Sequence, residues 1–274
     1  MKKLMRQYRW QFSLTLLLVL LEAGLFLLFP LFIGQAIGDA MEAQYRGAYA
    51  LGCLGMASLL VGAARRFFDS RFYAKVYQRL GTAIGDETDQ SASTKTAHLS
   101  FLTEVVEFFE NLMPQLINST IGLLGTVIII GAIDLNLFWA CLVVLLLTFM
   151  VYALSGKRTS NLNHGFNTEL EQQVDMVSSH QPILLRYHLK RLMRWNIRLS
   201  DLETINFSIT WLFMMIFLVG GIIYAAQSGI AQYAALFSLV LYLFQFIETA
   251  IQLPIFYQQW LRLKVILERL RVLV

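Results

Sequence analysis

The chain has 274 residues, 57% of them hydrophobic and 15% charged, with a formal net charge of +4. Soluble domains carry about 25% charged residues, so this deficit, concentrated in long apolar runs, excludes an ordinary soluble domain and points to a polytopic membrane protein. Nucleic-acid binding is excluded because the basic residues border apolar segments instead of forming one face, and a disulfide framework or Cys/His metal site is excluded because Cys53 and Cys141 both sit inside apolar runs.

The N-terminus, MKKLMRQYRWQFSLTLLLVLLEAGLFLLFPLFIG, has a basic head like a signal peptide. Its apolar stretch is too long for one and lacks a small-residue cleavage site, so it reads as a retained transmembrane helix. Six spans are predicted, at residues 12–34, 48–64, 116–133, 137–154, 207–226 and 231–256. Each is near the ~20 residues needed to cross about 30 Å of hydrocarbon. Runs this continuous satisfy their backbone in lipid only as helices. The connections alternate. Short ones lie around QAIGDAMEAQYRG, AIDLN and QSGI, and two long ones, 65–115 and 155–206, are rich in helix formers. The spans are therefore predicted to continue past the bilayer, since twenty-odd extra residues at 1.5 Å each project about 30 Å into water. The fold class is all-α, with residues 1–274 forming a single six-helix transmembrane domain.

Charge sets the orientation. The N-terminal tail, the two long connections and the C-terminal segment hold all of the 22 Lys and Arg except Arg46. The positive-inside rule then places both termini and both long connections in the cytoplasm, in a plasma (inner) membrane.

Two acids fall inside spans. Glu22 lies near the middle of the first and Glu248 within the sixth, where a carboxylate is expensive unless it works or is paired. Gln245 and Gln252 stand at i−3 and i+4 from Glu248, which predicts one polar face looking into a cavity or a dimer interface. Glu22, Glu248, Gln245 and Gln252 are the candidates for substrate binding or proton coupling. The competing reading is structural: a wet or paired carboxylate, or interhelical hydrogen bonding. Asp134 in the turn AIDLN is explained by turn chemistry. Asp69 with Arg65, Arg66 and Arg71 reads as a solvated interfacial charge cluster. Glu104, Glu107 and Glu110 form an acidic stripe read as an exposed helical face. The histidines, His98, His164, His180 and His188, lack the spacing of a metal pair on one helix, so no metal or cofactor is expected. SDLE, Ser200 to Glu203, matches a capping box but lies within a predicted continuous helix. Pro30 and Pro254 sit inside spans and are expected to kink them.

Six helices with tiny outer loops and two long helical connections resemble the transmembrane domain of ABC exporters of the type IV fold. The local stretches that carry the resemblance are FIGQAIGDAM, RRFFDSRFYAKVYQRLG, FLTEVVEFFENLMPQLINSTIGLLGTV, KRTSNLNHGFNTELEQQVD, LRYHLKRLMRWNIRLSDLETINF and FQFIETAIQLPIFYQQWLRLKVILERLRVLV. The resemblance implies that the long connections end in coupling helices that dock on an ATPase domain. It places the second of these at SSHQPILLRYH, where Pro182 followed by Ile183, Leu184 and Leu185 predicts a break and then a short apolar helix suited to a docking partner. No G-x-x-x-x-G-K-[ST] occurs in the 274 residues, and LSGK at Leu154 to Lys157 has no strand before it, so the chain is not expected to be an enzyme. The stretch GDETDQSASTKTAHLSFL also lacks the glycine and arginine motif of the exporters' first coupling helix. That departure favours the ATP-independent carriers built on the same helices.

The leading expectation is a transporter or transporter subunit in the lipid bilayer that moves an unidentified solute by alternating access. One protomer supplies half of the cavity, so a homodimer is expected. Its drive is an ion gradient or a separate ATPase subunit. The alternative from another class is a non-transporting membrane scaffold or regulator that uses the same fold.

Overall fold

Each apolar run becomes part of a helix longer than the run itself. In the computed structural model, residues 8–86, 92–178, 181–228 and 233–271 are described, without the side chains of 92–94, 97–98, 174–175 and 253 onward. Helix α1 spans Arg9–Met41 and α2 Arg46–Asp86. Helix α3, Ala92–Glu107, runs through a π-helical turn at Phe108–Leu112 into α4, Met113–Ile133. Then come α5, Leu135–Glu171, the short α6, Gln173–Ser178, the 46-residue α7, Pro182–Gln227, and α8, Tyr233–Arg271. Among the described residues, six helical stretches are long and apolar enough to cross a membrane. The protein is all-α and integral to the membrane, and α2, α5 and α7 far exceed the ~20 residues that a crossing needs.

The chain divides into two compact units, Met1–Phe138 with Gly221–Val274, and Trp139–Gly220. In the first, α1 packs against α2, α4 and α8, and α4 also packs against α8. Lipid offers no hydrophobic drive between helices, so close backbone approach and interhelical hydrogen bonds hold such seams. The α1–α8 seam uses both. Gly34 and Gly38, one turn apart on α1, face Ser238 and Ala234 on α8, and a Cβ on Gly34 would run into the Ala234 carbonyl and the Ser238 backbone. Below them, Tyr242 Oη donates to the Leu27 carbonyl at 3.1 Å and Ser238 Oγ to that of Leu31 at 3.4 Å. On α4, Ser119 Oγ donates to Gln252 Oε1 of α8 at 2.8 Å.

The first two short connections are closed by carboxylates. Asp39 accepts from the Gly47 N–H at 2.7 Å across a turn in which Ala43 takes φ of 57°. Asp134 accepts from the Asn136 and Leu137 N–H groups at 2.8 and 3.0 Å, a side-chain cap on the start of α5. Tyr224 Oη reaches the other Asp134 oxygen at 3.2 Å. Asp134 is thus a turn residue, as its setting in AIDLN predicts. The π turn has a local cause as well. Pro114 has no N–H for the carbonyl four residues back, and the Met113 N–H bonds instead to Phe108 O, five residues back. Beside this turn Phe12, Phe72, Tyr73 and Phe109 interlock, with Phe12 edge-on to Phe72 at 5.0 Å between centroids.

In the second unit, α5 and α7 run antiparallel. Ser155 Oγ donates to Asn206 Oδ1 at 2.7 Å, Gly165 lies against the Trp195 ring, and His188 Nδ1 sits 2.9 Å from Glu169 Oε1. The expected break at Pro182 is present, but no short apolar helix follows it. Pro182 opens the 46-residue α7, because a proline is well tolerated in the first turn, where its missing N–H has no intrahelical partner anyway. The short helix, α6, lies before the break. The motif SDLE lies inside α7 and starts nothing. The first predicted coupling region runs over residues 87–91, outside the described residues, as do His180 and the side chains of His98 and Pro254.

Candidate functional site

Thr15 and Glu22 stand seven residues apart on α1, and Arg65 and Asp69 four apart on α2. Each pair therefore shares a helical face. The two faces meet. Arg65 Nε donates to Glu22 Oε2 at 2.5 Å and Nη1 to Asp69 Oδ2 at 3.2 Å, while Thr15 Oγ1 donates to Asp69 Oδ1 at 2.7 Å. Arg65 is 8% exposed, and Asp69 and Thr15 are 1% exposed. This corrects the sequence reading of Arg65 and Asp69 as a solvated interfacial cluster. A guanidinium set between two carboxylates can satisfy several of its five donors without water, and burial on the α1 face follows from that.

Glu22 differs from the rest of the network in keeping an open side. Its side chain is 21% exposed. It stands on the wall of an open groove of about 860 Å³ that runs along α2. Gly62 makes room for it: a Cβ there would lie 3.3 Å from Glu22 Oε1. Oε2 thus takes the Arg65 contact, Oε1 lies by Gly62, and the side chain lines the groove. Chemically, the network is a clamp between two helices, one cation set between two acids, with one acidic edge reachable from outside.

The other candidates separate. Gln245 is buried on α8, and neither its Oε1 nor its Nε2 has a hydrogen-bond partner among the described residues. Gln252 is held by Ser119. Glu248 is exposed, so the three do not form the one polar face that the spacing predicts. Glu22 pairs with Arg65 and not with another of the candidates. Of the acidic stripe, Glu110 accepts from Ser70 Oγ of α2 at 2.8 Å. Pro182, Ile183, Leu184 and Leu185 form the first turn of α7, where Ile183 is 73% and Leu184 45% exposed, with Val177 of α6 at 56%.

The partners of Glu22 escaped the sequence reading because Arg65 and Asp69 lie past the predicted end of the second span, at residue 64. The i,i+7 and i,i+4 spacings of Thr15/Glu22 and Arg65/Asp69 mark each pair as sharing a face, but not that the two faces meet. No curated protein matches the chain in sequence. The family described as ABC transporter transmembrane region matches residues 1–250, and the chain, with its six long apolar helices, belongs to that family.

Proposed function

We propose that the chain forms the membrane half of a solute transporter that works by alternating access as a homodimer, powered by an ATPase partner that docks where α6 meets α7. Family membership supports the transporter reading. The docking site rests on one observation, the exposed apolar side chains of Val177 near the end of α6 and of Ile183 and Leu184 at the start of α7. Exposed apolar side chains at such a boundary mark interaction sites more often than solvated surface. The basic residues bordering the spans support placing this turn, with both termini, in the cytoplasm of a plasma (inner) membrane, where ATP is available. The chain itself would hydrolyse nothing. It would bind solute and convert movement of the docked partner into opening and closing.

A second reading has its own observation. Glu248 is an exposed carboxylate within a membrane-spanning stretch of α8, which favours an ion-driven carrier if that face borders a wet cavity. The deciding experiment purifies tagged protein from its native host in mild detergent and quantifies ATPase subunits by mass spectrometry, for wild type and for Ile183→Asp/Leu184→Asp. A stoichiometric ATPase that the double variant loses supports the proposal. A bare homodimer whose ion-driven uptake is abolished by Glu248→Gln supports the carrier. Uptake absent in wild type under both energy sources would leave the scaffold reading standing and defeat transport.

A further inference from the structure

The groove beside Glu22 changes character along its length. Its upper part is lined by Gly55, Leu59 and Phe29, and its lower part by Arg66, Ser70 and Arg71. The Gly55-to-Ala63 stretch of α2 rises about 12 Å, close to the ~15 Å depth of one bilayer leaflet. Arg66 and Arg71 follow directly after the apolar run of α2, where the helix turns from apolar to basic. Because Arg65 meets Glu22, this boundary sets Glu22 nearer the headgroups than its position midway along the first apolar run suggests. Neither guanidinium is paired with a carboxylate among the described residues. Arg66 is exposed. Arg71 donates Nη1 to the Phe67 carbonyl of its own helix at 2.9 Å and lies 5.3 Å over the Phe67 ring. The acids nearby are already engaged, Glu22 by Arg65 and Glu110 by Ser70.

We propose that this groove binds an anionic phospholipid, its headgroup phosphate between Arg66 and Arg71 and an acyl chain along Gly55, Leu59 and Phe29. The charge is complementary, since guanidinium forks match phosphate oxygens in geometry as well as sign. Basic pockets beside transmembrane helices at headgroup depth recognise anionic lipids by this means. A free phosphate ion would use the two arginines but leave the apolar upper part of the groove without a role. A zwitterionic lipid would fill the upper part but bring its own cation to the arginines. The groove does not depend on which energy source drives the transporter.

The test uses the full chain, purified in nonionic detergent and stripped of lipid. It is titrated with phosphatidylglycerol, phosphatidylcholine or soluble glycerol phosphate and read by native mass spectrometry. One phosphatidylglycerol per chain is expected, held about tenfold or more tighter than phosphatidylcholine, with no competition from glycerol phosphate. Arg66→Gln/Arg71→Gln should bring phosphatidylglycerol down to the phosphatidylcholine level. Gly55→Phe should weaken both lipids by filling the apolar part of the groove, where a Cβ at Gly55 meets no atom within 4 Å. Three outcomes overturn the proposal. The first is phosphatidylglycerol retention unchanged in both variants. The second is full competition by glycerol phosphate, which reduces the site to an ion-binding pair. The third is loss of the dimer with lipid retention intact, which makes the groove a seat for a second copy of the chain.

Discussion

Arg65 Nε lies 2.5 Å from Glu22 Oε2, joining α2 to α1 across 43 residues of chain. The same guanidinium reaches Asp69 one turn on, so a single cation answers two acids in a setting where each alone would be costly. Arg65→Leu should leave Asp69 and Glu22 both without their cation and lower stability by about 3 kcal/mol. Glu22→Gln should cost less, about 1 kcal/mol, because the amide oxygen still accepts from Nε. Thermal unfolding in detergent for the two variants and their combination measures this. If the double variant loses as much as the sum of the singles, the two residues are not coupled and the clamp reading fails.

The six helices were readable because a run of about twenty apolar residues has one backbone solution in lipid. Their pairing was not. Nothing in the i,i+4 spacing of Arg65 and Asp69 says that their face meets Thr15 and Glu22 and not water. Facing was legible only coarsely. Gln245, Glu248 and Gln252 look coplanar on a helical wheel, but Glu248 lies about 60° around from Gln245, enough to leave it exposed while Gln245 is buried. The buried face runs through Thr249 instead. The break at Pro182 was legible from the proline, whereas the length of the helix it starts depends on packing with α5, as in Gly165 against Trp195.

Close approach at Gly34 and Gly38 predicts which small residues the first unit cannot lose. Gly34→Ala would place a methyl group in the Ala234 carbonyl and the Ser238 backbone, neither of which is the movable end of a side chain. The seam would have to part, breaking the Tyr242 and Ser238 bonds to α1 at the same time. A loss of several kcal/mol is expected, on the order of 3. Gly52→Ala, on the same unit with no atom near its Cβ, should be neutral or slightly stabilising. Fluorescence-detected size-exclusion after heating separates the two, and similar midpoints for both variants would show that the seam yields without cost.

Ser119 bonded to Gln252, with Gly122 against Thr249, sets the register of α4 on α8. One layer further, that register brings Thr126 level with Gln245. Both are buried, and the Thr126 hydroxyl and both Gln245 amide atoms lack partners among the described residues. Unpaired buried groups oppose stability, so Gln245→Leu should raise the unfolding free energy by about 1 kcal/mol. It should lower transport in the same preparation, because an amide retained against stability is retained for what it does. A fall in thermal midpoint would mean instead that the amide is satisfied in the membrane by bound water, and its role structural.

The second unit offers a polar knot of its own. His188 is fully buried on α7, with Nδ1 2.9 Å from Glu169 Oε1 of α5, and Arg191 Nε lies 3.1 Å from the same oxygen. The His188 Nε2 has no partner among the described residues. Removing the ring leaves a void and deprives Glu169 of one of its two contacts, while Arg191, 57% exposed, remains as a weak surface partner. His188→Ala should therefore cost about 2 kcal/mol, by cavity and lost hydrogen bond together. The loss should be local to the α5–α7 pair, since the knot joins only those helices. Hydrogen exchange read by mass spectrometry should show faster exchange over residues 160–200 and unchanged protection in α1 and α4. Faster exchange throughout would mean that the second unit does not open by itself, and that the His188 knot stabilises the whole chain.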